Sequence, residues 1–112
     1  MIVVNFSHPL TDDQKRKIEY FTNQRIDRLI EIMARFDFTK PIALQVNELF
    51  NQTRLTKTDL QYNIIAVNLP DLSIGAGLMT ELLIKKGCNI NFIRLSPVAG
   101  SLPPTFEVAE VV

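Results

Sequence analysis

Apolar residues along the chain fall into short blocks with two different periods. Ile2-Val3-Val4 and Phe6 form a run broken only by Asn5, and its β-branched content predicts a strand buried on both faces, as in a parallel sheet under helices. Ser7-His8-Pro9-Leu10 interrupts it, with Pro9 driving His8 towards extended geometry. Thr11-Asp12-Asp13-Gln14 has the form of a capping box, Thr11 as N-cap and Gln14 reaching back, and the two aspartates suit the positive end of a helix. Ile18, Phe21, Ile26, Leu29, Ile30 and Met33 then recur at helical spacing, which predicts one long helix to about Arg35.

A second, shorter helix is predicted from near Pro41, with Ile42, Val46, Leu49 and Phe50 on one face. Residues 51–63 are polar and suggest only a turn around Thr58–Gln61. Ile64 to Leu69 reads as a second buried strand ended by Pro70-Asp71. Ser73 is placed to cap a third helix running to Lys86, with Gly87 as its stop and Glu81 four residues before Lys85 as a surface pair. Ile74, Leu78, Met79, Leu82, Leu83 and Ile84 cover most of that helix, so it is either deeply buried or shared with a second subunit, and sharing is expected in a domain this small. Asn91 to Ser96 predicts a third strand, with Phe92, Arg94 and Ser96 on one face and Ile93 and Leu95 on the other. A linker with Pro97, Gly100, Pro103 and Pro104 leads to a fourth strand, Thr105 to Val111, antiparallel to the third and guarded by Glu107 and Glu110. The expected fold is one α/β domain over residues 1–112, a mostly parallel sheet of about four strands with helices and an antiparallel C-terminal strand.

Composition narrows the function. With 46% hydrophobic and 21% charged residues the chain can pack a core. Twelve Lys plus Arg balance twelve Asp plus Glu, so no global basic field exists to coat duplex DNA, and an anionic ligand must be held by a local site. Cys88 is the only cysteine and His8 the only histidine, which leaves no intramolecular disulfide, no Cys-based zinc cluster and no His-rich metal site; neither metal nor cofactor is expected. Met1 leads directly into Ile2-Val3-Val4-Asn5 without a signal-peptide pattern, and no apolar run approaches the ~20 residues of a membrane span, so a soluble cytoplasmic protein is expected.

Right-handed crossovers bring the loops after parallel strands to one edge, where open α/β sheets bind ligands. That edge would gather Asn5, Phe6, Ser7 and His8 from the first strand, Asn68, Leu72 and Ser73 from the second, and Arg94 and Ser96 from the third. Helix starts near Thr11 and Ser73 would open towards it with free amides. Plainer roles stand beside these. Ser7 and Ser73 can simply satisfy local amides, His8 can bond loop backbone, and Arg94 can pair with Glu107 or Glu110. Asp12-Asp13 is explained by capping, while Gly75 and Gly77 lack the third glycine of a dinucleotide fingerprint and suggest close packing.

The segment Val4-Asn5-Phe6-Ser7-His8-Pro9-Leu10-Thr11 resembles the opening signature of the Csx-fifteen family of small ancillary proteins encoded with type III CRISPR systems. The likeness continues through Asn68-Leu69-Pro70-Asp71-Leu72-Ser73, the helix containing Glu81, Arg94-Leu95-Ser96-Pro97 and Phe106-Glu107-Val108-Ala109-Glu110, and is loose over residues 37–63. It implies a Rossmann-like fold and a homodimer, with larger ligand-bound assemblies left open. It also implies binding of a cyclic oligoadenylate messenger, most simply cyclic tetra-adenylate, without cleavage. Ser7, His8, Ser73 and Arg94 carry over; Leu83-Ile84-Lys85-Lys86 and Ser96 stand where the family pattern has further basic contacts.

Three readings follow. The first is a non-catalytic messenger-binding protein. The second is a metal-independent ring nuclease, for which His8 offers one acid–base group where the reaction calls for two, with Lys85 or Arg94 to stabilise charge. The third is a protein-interaction module using the apolar third helix.

Overall fold

The structure is a computed structural model describing residues 1–112. All four residues of strand β1 (Ile2–Asn5) are buried, because this strand lies inside the sheet with helices on both faces. Strands β2 (Arg28–Glu31) and β3 (Ile64–Asn68) flank it in parallel, β4 (Asn89–Pro97) lies parallel to β3, and β5 (Phe106–Val111) closes the far edge antiparallel to β4. The order is β2-β1-β3-β4-β5. The mostly parallel α/β architecture expected from the sequence is therefore present, with five strands where about four were expected.

Alternation along the strands divides the core. Ile2, Val4 and Phe6 join Ile65 and Val67 beneath helices α2 (Ile42–Gln52), α3 (Lys57–Tyr62) and α4 (Ser73–Lys85), whose Val46, Leu49, Phe50, Leu60, Met79 and Leu83 fill that layer. On the other face, Val3, Ala66, Ile93 and Val108 pack with Leu10 and with Ile18 of helix α1 (Asp12–Thr22). Each large apolar side chain enclosed this way contributes roughly 1.5–3 kcal/mol. No helix is long and apolar enough to cross a membrane.

The extra strand comes from the segment expected to continue the first helix. That helix ends at Thr22, because Asn23 adopts the left-handed conformation (φ 50°, ψ 36°), which asparagine tolerates better than most residues. The chain then turns back, and Arg28–Glu31 pairs with Ile2–Asn5 residue for residue. Leu29 and Ile30, read as neighbours on a helical stripe, instead point to opposite faces of β2, Leu29 to the α1 layer and Ile30 to the other. The pattern of apolar positions fits either period over so short a stretch, and pairing with β1 decides it.

A smaller correction concerns α4. Its N-cap is Leu72, without a side-chain cap bond, and Ser73 is the first helical residue. The capping box at Thr11 and Gln14 forms as expected, the helix over the polar stretch covers six residues, and Gly87 sits just past α4 with a φ of +74°. Gly75 lies where an added Cβ would come within 2.7 Å of Phe36 Cζ, whereas Gly77 faces open space.

Candidate functional site

The chain leaves β1 for β2 on one side of the sheet and returns to β3 on the other, so β1 and β3 form the topological switch point, where α/β sheets open a crevice. The crevice deepens because β4 outruns β3. Their pairing ends at Val67 and Phe92, yet β4 continues to Pro97. Phe92 and Val112 exchange backbone hydrogen bonds on the β5 side, so by strand alternation Leu95, beyond the last β3 pairing, turns its backbone groups towards the space that β3 has vacated. A recess of about 580 Å³ occupies this corner, lined by Ser7, His8, Asn68, Asp71, Arg94 and Phe106 among others.

Asn5 organises the loop that forms one wall. It is fully buried. Its Nδ2 donates to the His8 carbonyl at 2.7 Å and to Glu31 Oε2 at 2.8 Å, while Oδ1 accepts from the Ser7 amide at 3.0 Å and from Asn68 Nδ2 at 2.9 Å. The same Glu31 oxygen accepts from the Leu10 amide at 2.8 Å. Loop residues 7–10 are thus clamped from below by an amide and from the side by the last residue of β2. Phe6, 1% exposed, is a core side chain. Asn5 and Phe6 therefore take scaffold positions, and neither side chain is open to a ligand.

The remaining candidates separate by position. Ser7 Oγ donates to Asp71 at 3.2 Å, tying the loop after β1 to the loop after β3. His8 is exposed at the recess wall. Asn68 lines the recess and holds Asn5. Arg94 borders it, but its Nε donates to Glu110 Oε1 at 2.6 Å; of the two glutamates weighed from the sequence, Glu110 is the partner. Leu72, Ser73 and Ser96 lie near this edge without lining the recess, so the structure does not bring them into one site with the others.

Four contributors carry no sequence signal for this site: Glu31 falls in the stretch predicted as helix, Asp71 reads as a strand terminator, Gln14 as a cap, and Phe106 as part of the last strand. Gln14 also donates from Nε2 to the Phe106 carbonyl at 2.9 Å, which anchors the start of β5 against α1 and presents the half-exposed Phe106 ring at the recess. That link spans 92 residues and has no local pattern.

Electrostatically the recess is mixed. It offers one arginine already paired, one histidine and one carboxylate, with hydroxyl and amide groups between them. No group of three or more His, Cys, Asp or Glu side chains is arranged to hold a metal ion. Cys88 lies beside the amino end of β4, away from the recess, and burial pushes its thiol above the ordinary range despite nearby Lys86. The recess can therefore offer a ligand hydrogen-bonding groups and one aromatic ring, with the paired Arg94 at its border. No protein-family model matches the chain, and neither a curated protein nor a solved structure matches it significantly.

Proposed function

We propose that the protein is a cytoplasmic binding protein for a cyclic oligoadenylate, cyclic tetra-adenylate in the first instance, which it sequesters as a homodimer in type III CRISPR signalling. The observation that carries the reading is the place of the signature-like octapeptide. Its Ser7-His8-Pro9 segment lines the recess at the switch point together with Asn68 and Arg94. A recess of about 580 Å³ suits a nucleotide-sized portion of a ring rather than the whole. Two copies about a two-fold axis would present two such recesses to one symmetric ligand. Ile74 and Ile84, 58% and 64% exposed on α4, give the apolar surface such a pairing would cover.

In this reading the Arg94 guanidinium exchanges Glu110 for a phosphate oxygen, and the Phe106 ring offers a stacking face for adenine. His8 and the Ser7 hydroxyl supply polar contacts, while Asn5 and Glu31 keep the loop in the bound shape. The test is fluorescence titration with cyclic tetra-adenylate. Arg94→Ala should weaken binding at least tenfold and His8→Ala at least threefold. Unchanged affinity in both variants would refute the site.

A further inference from the structure

At the opposite, amino edge of the sheet, α3 and the last turn of α4 bound a groove made of two adjoining cavities of about 280 and 340 Å³. Lys57, Leu60 and Lys86 line both, and Phe50, Leu55 and Lys85 complete the larger one. No lining residue is acidic. Lys57 and Lys86 take part in none of the molecule's ion pairs, and Lys85 pairs only with the exposed Glu81, at 2.6 Å. The Lys86 ammonium stands 4.7 Å from the centroid of the Phe50 ring. Asp59, the acid nearest Lys57 in sequence, is occupied elsewhere, accepting from the Thr56 amide at 2.9 Å and pairing with Arg28 at 2.9 Å.

Helix electrostatics explains part of this set and opposes the rest. Lys85 and Lys86 sit at the C-terminal end of α4, where a cation is favoured for the helix's own sake. Lys57 is the first residue of α3, the end at which a cation is disfavoured, yet it faces the same groove. What the three share is the groove, whose floor of Leu55 and Leu60 is apolar. In a chain of zero net charge, three lysines lining a groove with an apolar floor, two of them outside any ion pair, make a local site for an anion that also carries an apolar body.

From this arrangement we infer that the groove binds a nucleoside triphosphate-sized organic phosphate, its phosphates between Lys57, Lys85 and Lys86 and its apolar part over Leu55 and Leu60. This site is separate from the carboxyl-edge recess and does not depend on the function proposed for it. The experiment is a titration of the full chain with magnesium-free ATP and, separately, tripolyphosphate, followed by amide chemical shifts. ATP should saturate at one per chain, shift the amides of Lys57, Lys86 and Gly87, and bind more tightly than tripolyphosphate. Lys57→Ala with Lys86→Ala should weaken ATP at least tenfold, and Lys57→Ala alone, which leaves the Phe50 contact intact, about threefold. Lys40→Ala, a lysine outside the groove and paired with Asp37, should leave these shifts and the affinity unchanged. Failure of the Lys57, Lys86 and Gly87 shifts to saturate with ATP, or their survival in the double variant at the remaining amides, would overturn the site. Tripolyphosphate binding as tightly as ATP would overturn the role of the apolar floor.

Discussion

Asn5 uses both ends of its amide to hold three chain segments, the β1–α1 loop at Ser7 and His8, β2 at Glu31 and β3 at Asn68. Replacing it with alanine leaves buried donors and acceptors without partners in a place that water reaches poorly. Asn5→Ala should therefore cost about 2–4 kcal/mol, read as a shift of the urea midpoint. A loss below about 0.5 kcal/mol, the range of an ordinary surface change, would show that the loop does not depend on this clamp. A polar residue inside an apolar run marks Asn5 in the sequence as unusual. Its distant partners Glu31 and Asn68 are brought to it only by the sheet, so the residue was legible as important and its role was not. Arg94 is the reverse case. An arginine on one face of a strand opposite a glutamate-bearing strand already suggested the pair that forms with Glu110.

Among the elements, α4 offers a controlled comparison within a single helix. Gly77→Ala meets open space and should gain about 0.5–1 kcal/mol from helix propensity. Gly75→Ala brings the same gain but drives a methyl to within 2.7 Å of the Phe36 ring, which must move. Thermal melts should thus rank the Gly77 variant above wild type and the Gly75 variant below the Gly77 variant; equal midpoints would mean that Phe36 yields freely. At α3 the Asp59 carboxylate is held below the ordinary aspartate range, first by the Thr56 amide and then by Arg28. A lowered value means that its stabilisation is complete above the ordinary aspartate range and is lost as pH falls through the lowered one. The gap in melting temperature between wild type and Asp59→Asn should be open at pH 6 and close towards pH 2.5. A constant gap would contradict the linkage. Element boundaries were readable where side chains act locally, as in the capping box at Thr11 and Gln14. They were lost where tertiary pairing decides, as at Leu29-Ile30, which suits a helix or a strand until β1 selects the strand.

Across the whole molecule, the cations and the recess part company. Lys57, Lys85 and Lys86 gather at the amino edge of the sheet, while the carboxyl edge has Arg94 bound to Glu110 and Ser7 bonded to Asp71. The anion binding proposed for the carboxyl edge would thus rely on exchange of an existing pair, whereas at the amino edge Lys57 and Lys86 take part in no ion pair. The layered architecture and the gathering of loops at one edge were foreseeable from alternating strands and helices. Strand order, the crevice left where β4 outruns β3, and the Gln14–Phe106 link depend on packing between distant segments, which no single stretch of sequence encodes.

The central claim, sequestration of a cyclic oligoadenylate, is tested most directly by calorimetric titration of the purified protein with cyclic tetra-adenylate, followed by chromatography of the recovered nucleotide. The account predicts saturation at one ring per two chains and recovery of intact ring after prolonged incubation. The absence of saturable binding, or conversion of the ring to linear product over several turnovers, would contradict it.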